Sequence, residues 1–123
     1  MILPPLGYAT GATRFVVLTT HCAFKFPRLW PYRNFLQGLL ANMQEANFWT
    51  MQDERFCPVL FSVWGGWLVV MPRARMMTDA EWEAFNADEF CDHPGSVIVV
   101  PAEDKQSSFG YLGGRIVAID YGN

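Results

Sequence analysis

The stretch that decides the fold is residues 113–123, which read G-G-R-I-V-A-I-D-Y-G-N. A Gly-Gly pair between two short apolar runs predicts a tight hairpin turn. The β-branched run at residues 115–119 predicts the second strand of that hairpin. Asp120 then places a carboxylate where the strand gives way to a loop, which makes it the first candidate functional residue.

Working outward, we predict the opening residues 1–13 to be irregular because they are rich in Pro and Gly. The other segments alternate between β-branched runs and helical periodicity. Thr78 and Glu81 have the spacing of a capping box, which starts the second helix. The predicted elements are strands 14–20 and 22–26, a helix 32–47, strands 56–63 and 67–71, a helix 79–90, and strands 97–100, 109–112 and 115–120. This order predicts an α+β fold with one domain over 1–123, in which hairpins form a mainly antiparallel sheet beside two main helices.

The composition places the chain among globular proteins. Apolar residues make up 51% and charged residues 17% of 123 residues, which suffices for a core and is too little charge for disorder. The longest apolar run is too short to span a bilayer, and the N-terminal sequence lacks the pattern of a signal peptide. Three cysteines without C-x-x-C spacing predict reduced thiols. We therefore expect a cytoplasmic location and no membrane association.

The net charge of −3 conceals a strong asymmetry along the chain. Residues 76–104 contain no base. Their acids are Asp79, Glu81, Glu83, Asp88, Glu89, Asp92, Glu103 and Asp104. Such a block repels nucleic acid and attracts a basic protein surface, although the commonest role of acids at this spacing is to solvate a helix.

The order of elements resembles a pared-down protein-kinase-like fold, and its sheet a kinase N-lobe. Residues 23–25, Ala-Phe-Lys, resemble the strand whose lysine grips the nucleotide phosphates. Glu45 has the place of the glutamate that pairs with that lysine, and Asp120 in D-Y-G has the place of the metal-binding aspartate. The helical periodicity disagrees about Glu45, because it puts this residue opposite the apolar stripe and favours a solvated side chain.

The resemblance also assigns the catalytic loop. Glu103 takes the place of the catalytic aspartate and Ser108 that of the metal-binding asparagine. Serine is a poor metal ligand compared with asparagine. Loss of the catalytic aspartate and loss of the metal-binding asparagine each commonly lower the reaction rate about 10²-fold or more. We therefore expect no catalytic activity and no cofactor; His21, His93 and the cysteines also lack metal-ligand spacing.

Three functions follow, and the sequence leaves them open. The first is a binding protein that inhibits host machinery, similar to phage anti-defence and anti-CRISPR proteins, in which the acids block a basic site on a host protein. The second is a minimal phosphotransferase that uses Lys25, Glu45, Glu103 and Asp120 with ATP and magnesium. The third is a virion or assembly protein. For the inhibitor we expect a monomer whose contacts include Asp79, Glu81, Glu83, Asp88, Glu89 and Asp92. Trp64 and Trp67 flank a Gly-Gly pair and are either further contacts or core residues.

Overall fold

The computed structural model describes residues 7–10, 13–51, 53–95 and 98–122. It has two antiparallel sheets and three helices within those residues. The strands are β1 Gly7–Thr10, β2 Arg14–Leu18, β3 Cys22–Pro27, β4 Phe61–Val63, β5 Leu68–Pro72, β6 Arg75–Met76, β7 Phe109–Leu112 and β8 Arg115–Ala118. The helices are α1 Tyr32–Trp49, α2 Asp79–Ala84 and α3 Ala87–Cys91, and Trp64–Gly66 and Gln106–Ser108 form 3₁₀ turns.

The first five strands form one sheet in the order β1-β2-β3-β5-β4, and β6-β7-β8 form the second. In the first sheet Lys25 lies opposite Val16 of β2 and Val69 of β5. Because side chains alternate along a strand, Ala23, Lys25 and Pro27 share one face, and all three are buried. This register directs the Lys25 ammonium into the protein.

The predicted closing hairpin is confirmed. Leu112 pairs with Arg115, so the loop contains only Gly113 and Gly114. Their φ angles are +60° and +83°, which is the left-handed backbone that a tight two-residue turn requires and that glycine adopts without strain. The predicted α+β class with antiparallel sheets is likewise confirmed. The kinase-like resemblance stays a prediction.

The predicted capping box is also confirmed. The Thr78 hydroxyl accepts from the Glu81 amide at 3.2 Å, and Glu81 Oε1 accepts from the Thr78 amide at 2.8 Å. The single helix predicted over 79–90 is wrong, however. Phe85 has an extended backbone, and Asn86 then caps a new helix by accepting from the Glu89 amide. Asparagine competes well at such a cap, which explains why the apolar spacing of 79–90 did not keep one helix intact.

Three strand predictions need correction. Residues 7–10 pair with β2, although they were predicted to be irregular; the rest of that prediction falls partly on residues 1–6 and 11–12, outside the described residues. Residues 56–60 do not form a strand, apart from one bridge at Phe56. Residues 98–100 do not form one either, because Arg55 and Cys91 supply the partners of their backbone groups; Val97 lies outside the described residues.

The buried face of helix α1 differs from the predicted apolar face, which comprises Phe35, Leu36, Leu39, Leu40, Met43 and Ala46. Its buried residues are Gly38, Ala41, Asn42 and Glu45. Three members of the predicted apolar face, Leu36, Leu40 and Met43, are instead 45%, 50% and 41% exposed. The buried face carries small residues, which let neighbouring backbone come close. A Cβ on Gly66 would lie 2.0 Å from the Leu39 carbonyl oxygen, and one on Gly122 would lie 2.2 Å from that of Ala41.

Candidate functional site

Four charged side chains from separate segments meet beneath α1. Arg14 starts β2, Lys25 lies in β3, Glu45 lies in α1, and Asp120 follows β8. We call these four residues the charged core. The sequence left open whether Lys25, Glu45 and Asp120 come together, and in the structure they lie in one cluster with Arg14 among them.

Glu45 is the centre of this cluster. Its two oxygens accept from Arg14 Nη1 at 2.6 Å, Arg14 Nη2 at 2.9 Å and Lys25 Nζ at 3.0 Å. They also accept from the backbone amides of Tyr121 at 3.1 Å and Gly122 at 3.2 Å. The periodicity that favoured a solvated Glu45 was therefore wrong, because its side chain is 0% exposed. Burial of this carboxylate is possible because five donors replace its water shell.

Two further contacts complete the cluster. Arg14 Nη2 donates to Asp120 Oδ1 at 2.5 Å, and Lys25 Nζ donates to the Ile119 carbonyl oxygen. Asn42 accepts from Arg14 Nη1 at 3.1 Å and donates to the carbonyl oxygens of Lys25 and Gly66. These bonds fasten the segment after β8 to the first sheet and to α1.

The pKa values show how these charges support one another. Burial opposes ionisation of Glu45, but the charges of Lys25 and Arg14 outweigh it, so its pKa lies below the ordinary value. Burial also opposes protonation of Arg14, yet Glu45 and Asp120 raise the pKa of its guanidinium. The arginine and the glutamate are therefore both ionised at neutral pH.

Three of the four side chains of the charged core are buried. Arg14, Lys25 and Glu45 are 7%, 6% and 0% exposed, and the Asp120 side chain is 28% exposed. The guanidinium of Arg14 lies between the two carboxylates, and Arg14 and Lys25 together balance the charges of Glu45 and Asp120. This arrangement holds the segments of the chain together.

Sequence reasoning missed Arg14 and Asn42. Arg14 had a signal, since it is a lone charge at the start of an apolar strand. Asn42 had none, because one amide in a long helix is unremarkable. Glu103, which the resemblance assigned to the catalytic loop, lies outside the charged core. Its side chain is 57% exposed and pairs with Lys105 at 3.2 Å. Ser108 is buried, and its carbonyl oxygen accepts from the Ile119 amide at 2.8 Å.

The predicted acidic residues lie on α2, on α3 and in the loops beside them. We call these eight residues the acidic surface: Asp79, Glu81, Glu83, Asp88, Glu89, Asp92, Glu103 and Asp104. All are exposed except Glu81, which is half-buried. Gln106 Nε2 lies 3.3 Å from Asp79 Oδ1, and the Val100 amide donates to the Cys91 carbonyl oxygen at 2.9 Å. These bonds hold the loop that carries Glu103 and Asp104 against both helices.

The cations near this surface are already used. Arg75 forms two bonds to Glu81 at 2.9 Å and 2.8 Å, which with the Thr78 amide hold the pKa of Glu81 down at about 2. Arg55 pairs with Asp53 at 2.6 Å and donates to the carbonyl oxygens of Phe90, Cys91 and Ile98. The acidic surface therefore keeps most of its negative charge.

The two predicted tryptophans lie elsewhere, on the turn between β4 and β5. Trp64 is 90% exposed, and Trp67 is 49% exposed with its ring 5.3 Å from that of Phe35. Trp67 also lines a groove of about 480 Å³ together with Phe26 and Trp30. Among the described residues, no contact joins Trp64 or Trp67 to the acidic surface.

The remaining candidates are the cysteines and the possible metal ligands. Burial raises the pKa of the Cys57 thiol to about 11 and also raises that of Cys91, so neither is a thiolate at neutral pH. Within the described ranges, His, Cys, Asp and Glu form no group of three or more that could hold a metal ion. Among the described helices, none has the length and apolar character needed to cross a membrane. No protein-family model matches the chain, and no curated protein matches it either.

Proposed function

We propose that this protein is a non-catalytic binding protein that inhibits a partner by covering a basic surface on it. The observation that carries the proposal is the contrast in where the charges lie. The charged core is neutralised within the protein, and the acidic surface is exposed with few cations near it. Exposed charge of one sign increases the rate of encounter with a surface of the opposite sign.

The partner class follows from the charge. An acidic surface repels the phosphates of nucleic acid, so the partner is a protein whose own basic groups are exposed. A channel that binds nucleic acid has such groups. The anti-defence class suggested by the size and charge of the chain fits this chemistry, because an acidic protein that fills such a channel blocks access to nucleic acid.

The test uses a bacterial host with an active CRISPR system, challenged with a targeted phage. Expression of the parent protein should raise the plaque count. A variant in which Glu83, Asp88, Glu89 and Asp92 are changed to Lys should not, and Glu54→Lys is the control for an exposed acid outside the acidic surface. An unchanged plaque count with the parent in hosts of several CRISPR types excludes this inhibitor class. Equal activity of the parent and the charge-reversed variant excludes the acidic surface.

A second function is favoured by one observation, the 3.0 Å pair between Lys25 and Glu45 with Asp120 nearby. A minimal phosphotransferase would use these residues to hold ATP and magnesium. The purified protein would then transfer phosphate from radiolabelled ATP to itself or to a generic acceptor protein, and Asp120→Asn would abolish the transfer. Because Arg14 and Lys25 already balance the charges of Asp120 and Glu45, we expect no transfer by the parent.

A further inference from the structure

We propose that the groove between α2, α3 and the β7–β8 hairpin binds an amphipathic segment of a partner protein, in which arginine stands beside apolar side chains. This inference rests on the proposed function and names the contact site within the acidic surface. The groove has a volume of about 640 Å³. We call the apolar part of its lining the floor and the part that carries Glu81 and Glu89 the rim; the floor includes Ala84, Phe85, Phe90 and Tyr111.

The floor of the groove is held in place from beneath. The rings of Phe85 and Phe90 are 5.4 Å apart, edge to face. Both also contact the fully buried ring of Phe109, at 5.0 Å and 5.7 Å. Aromatic rings fixed in this way form a preorganised apolar surface, so an incoming apolar side chain is bound without first ordering the groove.

One side of the rim already holds a guanidinium. Arg75 of this chain forms its two bonds to Glu81, and its guanidinium carbon lies 4.5 Å above the centre of the Tyr111 ring. Carboxylate and aromatic face together are the environment that favours arginine over lysine. The chain itself thus demonstrates which cation fits this rim.

The opposite side of the rim is unfilled. Glu89 is exposed and has no ion pair within the described part of the chain, although its backbone amide is used to cap α3. A partner arginine over Glu89 would repeat the arrangement that Arg75 makes with Glu81. A purely basic ligand would leave the aromatic floor wet, and a purely apolar one would leave Glu89 unpaired, so the occupant must have both features.

The experiment measures binding of a fluorescent synthetic peptide by anisotropy. The peptide is a helix former with leucine on one face and arginine on the other, and a scrambled peptide of equal composition is its control. The protein variants are Glu89→Lys on the rim and Ala84→Trp, which fills the groove without changing the charge. Glu83→Lys is the matched control, because it makes the same charge change in α2 outside the groove.

We expect Ala84→Trp to weaken binding about tenfold or more because it fills the groove, and Glu89→Lys to do the same because it turns attraction for the partner arginine into repulsion. Glu83→Lys should weaken binding less than about threefold. The scrambled peptide should bind the parent about tenfold more weakly. If Ala84→Trp binds like the parent while both lysine variants lose affinity equally, the groove inference is wrong and the acidic surface still binds by charge. If the parent binds neither peptide, or the lysine variants bind as the parent does, the proposed function fails as well.

Discussion

Glu45 and Glu89 lie at the two extremes of how this chain uses a carboxylate. Glu45 is fully buried and accepts five hydrogen bonds from side chains and backbone. Glu89 is exposed, and its side chain has no ion pair within the described residues. A buried charge must be compensated inside the protein, whereas an exposed one keeps its field for a partner. The comparison indicates that charges of the first kind maintain the fold and that charges of the second kind remain available to a partner.

The largest expected effect is on stability when the centre of the charged core is removed. Glu45→Ala leaves Lys25 buried without its carboxylate, and it leaves Arg14 with Asp120 as its only paired carboxylate. Breaking a buried pair in this way costs about 3–5 kcal/mol of unfolding free energy. Urea unfolding followed by tryptophan fluorescence measures it. The matched change on the acidic surface, Glu83→Ala, should leave the unfolding midpoint unchanged, and equal effects of the two would remove the distinction between them.

A smaller loss of stability is expected when Arg55 is removed, because Arg55 connects α3 and the loop after it to the rest of the chain. Arg55→Ala leaves the carbonyl oxygens of Phe90, Cys91 and Ile98 without this donor. We expect a loss of about 2 kcal/mol in unfolding free energy, because partly buried acceptors lose their partner. Arg115→Ala, at an exposed position, is the control. A change at Arg55 that is no larger than the control would mean that α3 is held by its apolar contacts alone.

The charged core also predicts a dependence of stability on pH. The pKa of Glu45 is lower in the folded protein than its ordinary value of 4.5. Its contribution is therefore fully present above that value and is lost as the pH falls below it. Urea midpoints measured from about pH 7 to about pH 3 should drop steeply for the parent and less steeply for Glu45→Gln. Parallel profiles for the two proteins would show that other groups govern the acid transition.

The smallest expected effect concerns the start of α2, on which part of the acidic surface depends. Thr78→Ala removes the hydroxyl that accepts from the Glu81 amide. Loss of an N-cap of this type costs about 1 kcal/mol. Thermal denaturation should show the loss, and Thr78→Ser, which keeps the hydroxyl, should restore most of the midpoint. A serine variant as unstable as the alanine variant would assign the effect to the lost methyl group.

Local chemistry in the sequence was enough to predict the closing hairpin and the capping box. Gly113 and Gly114 permit the turn, and the hydroxyl and carboxylate of Thr78 and Glu81 need only each other. The exposure of the acidic surface could also be predicted, because eight acids without a Lys or Arg among them cannot be buried together. These features depend on neighbours along the chain, so no long-range information was required.

Helix α1 could not be oriented from its apolar pattern. Leucine spacing points to one face, yet the opposite face packs because Gly38 and Ala41 admit neighbouring backbone and because Arg14 and Lys25 neutralise Glu45. That outcome depends on residues about twenty to thirty positions away. The available signal for the buried face was a glutamate among small residues on the helix. That signal predicts burial only when a distant cation is known to pair with the glutamate.

The most direct test of the account asks whether the charged core is a structural cluster or a nucleotide site. The thermal midpoint of the purified protein is measured while millimolar magnesium-ATP is titrated, with magnesium chloride alone as the control. The account predicts no shift beyond the control, because Arg14 and Lys25 already balance the charges of Glu45 and Asp120. A saturable rise in the midpoint with magnesium-ATP that disappears in Asp120→Asn would contradict it.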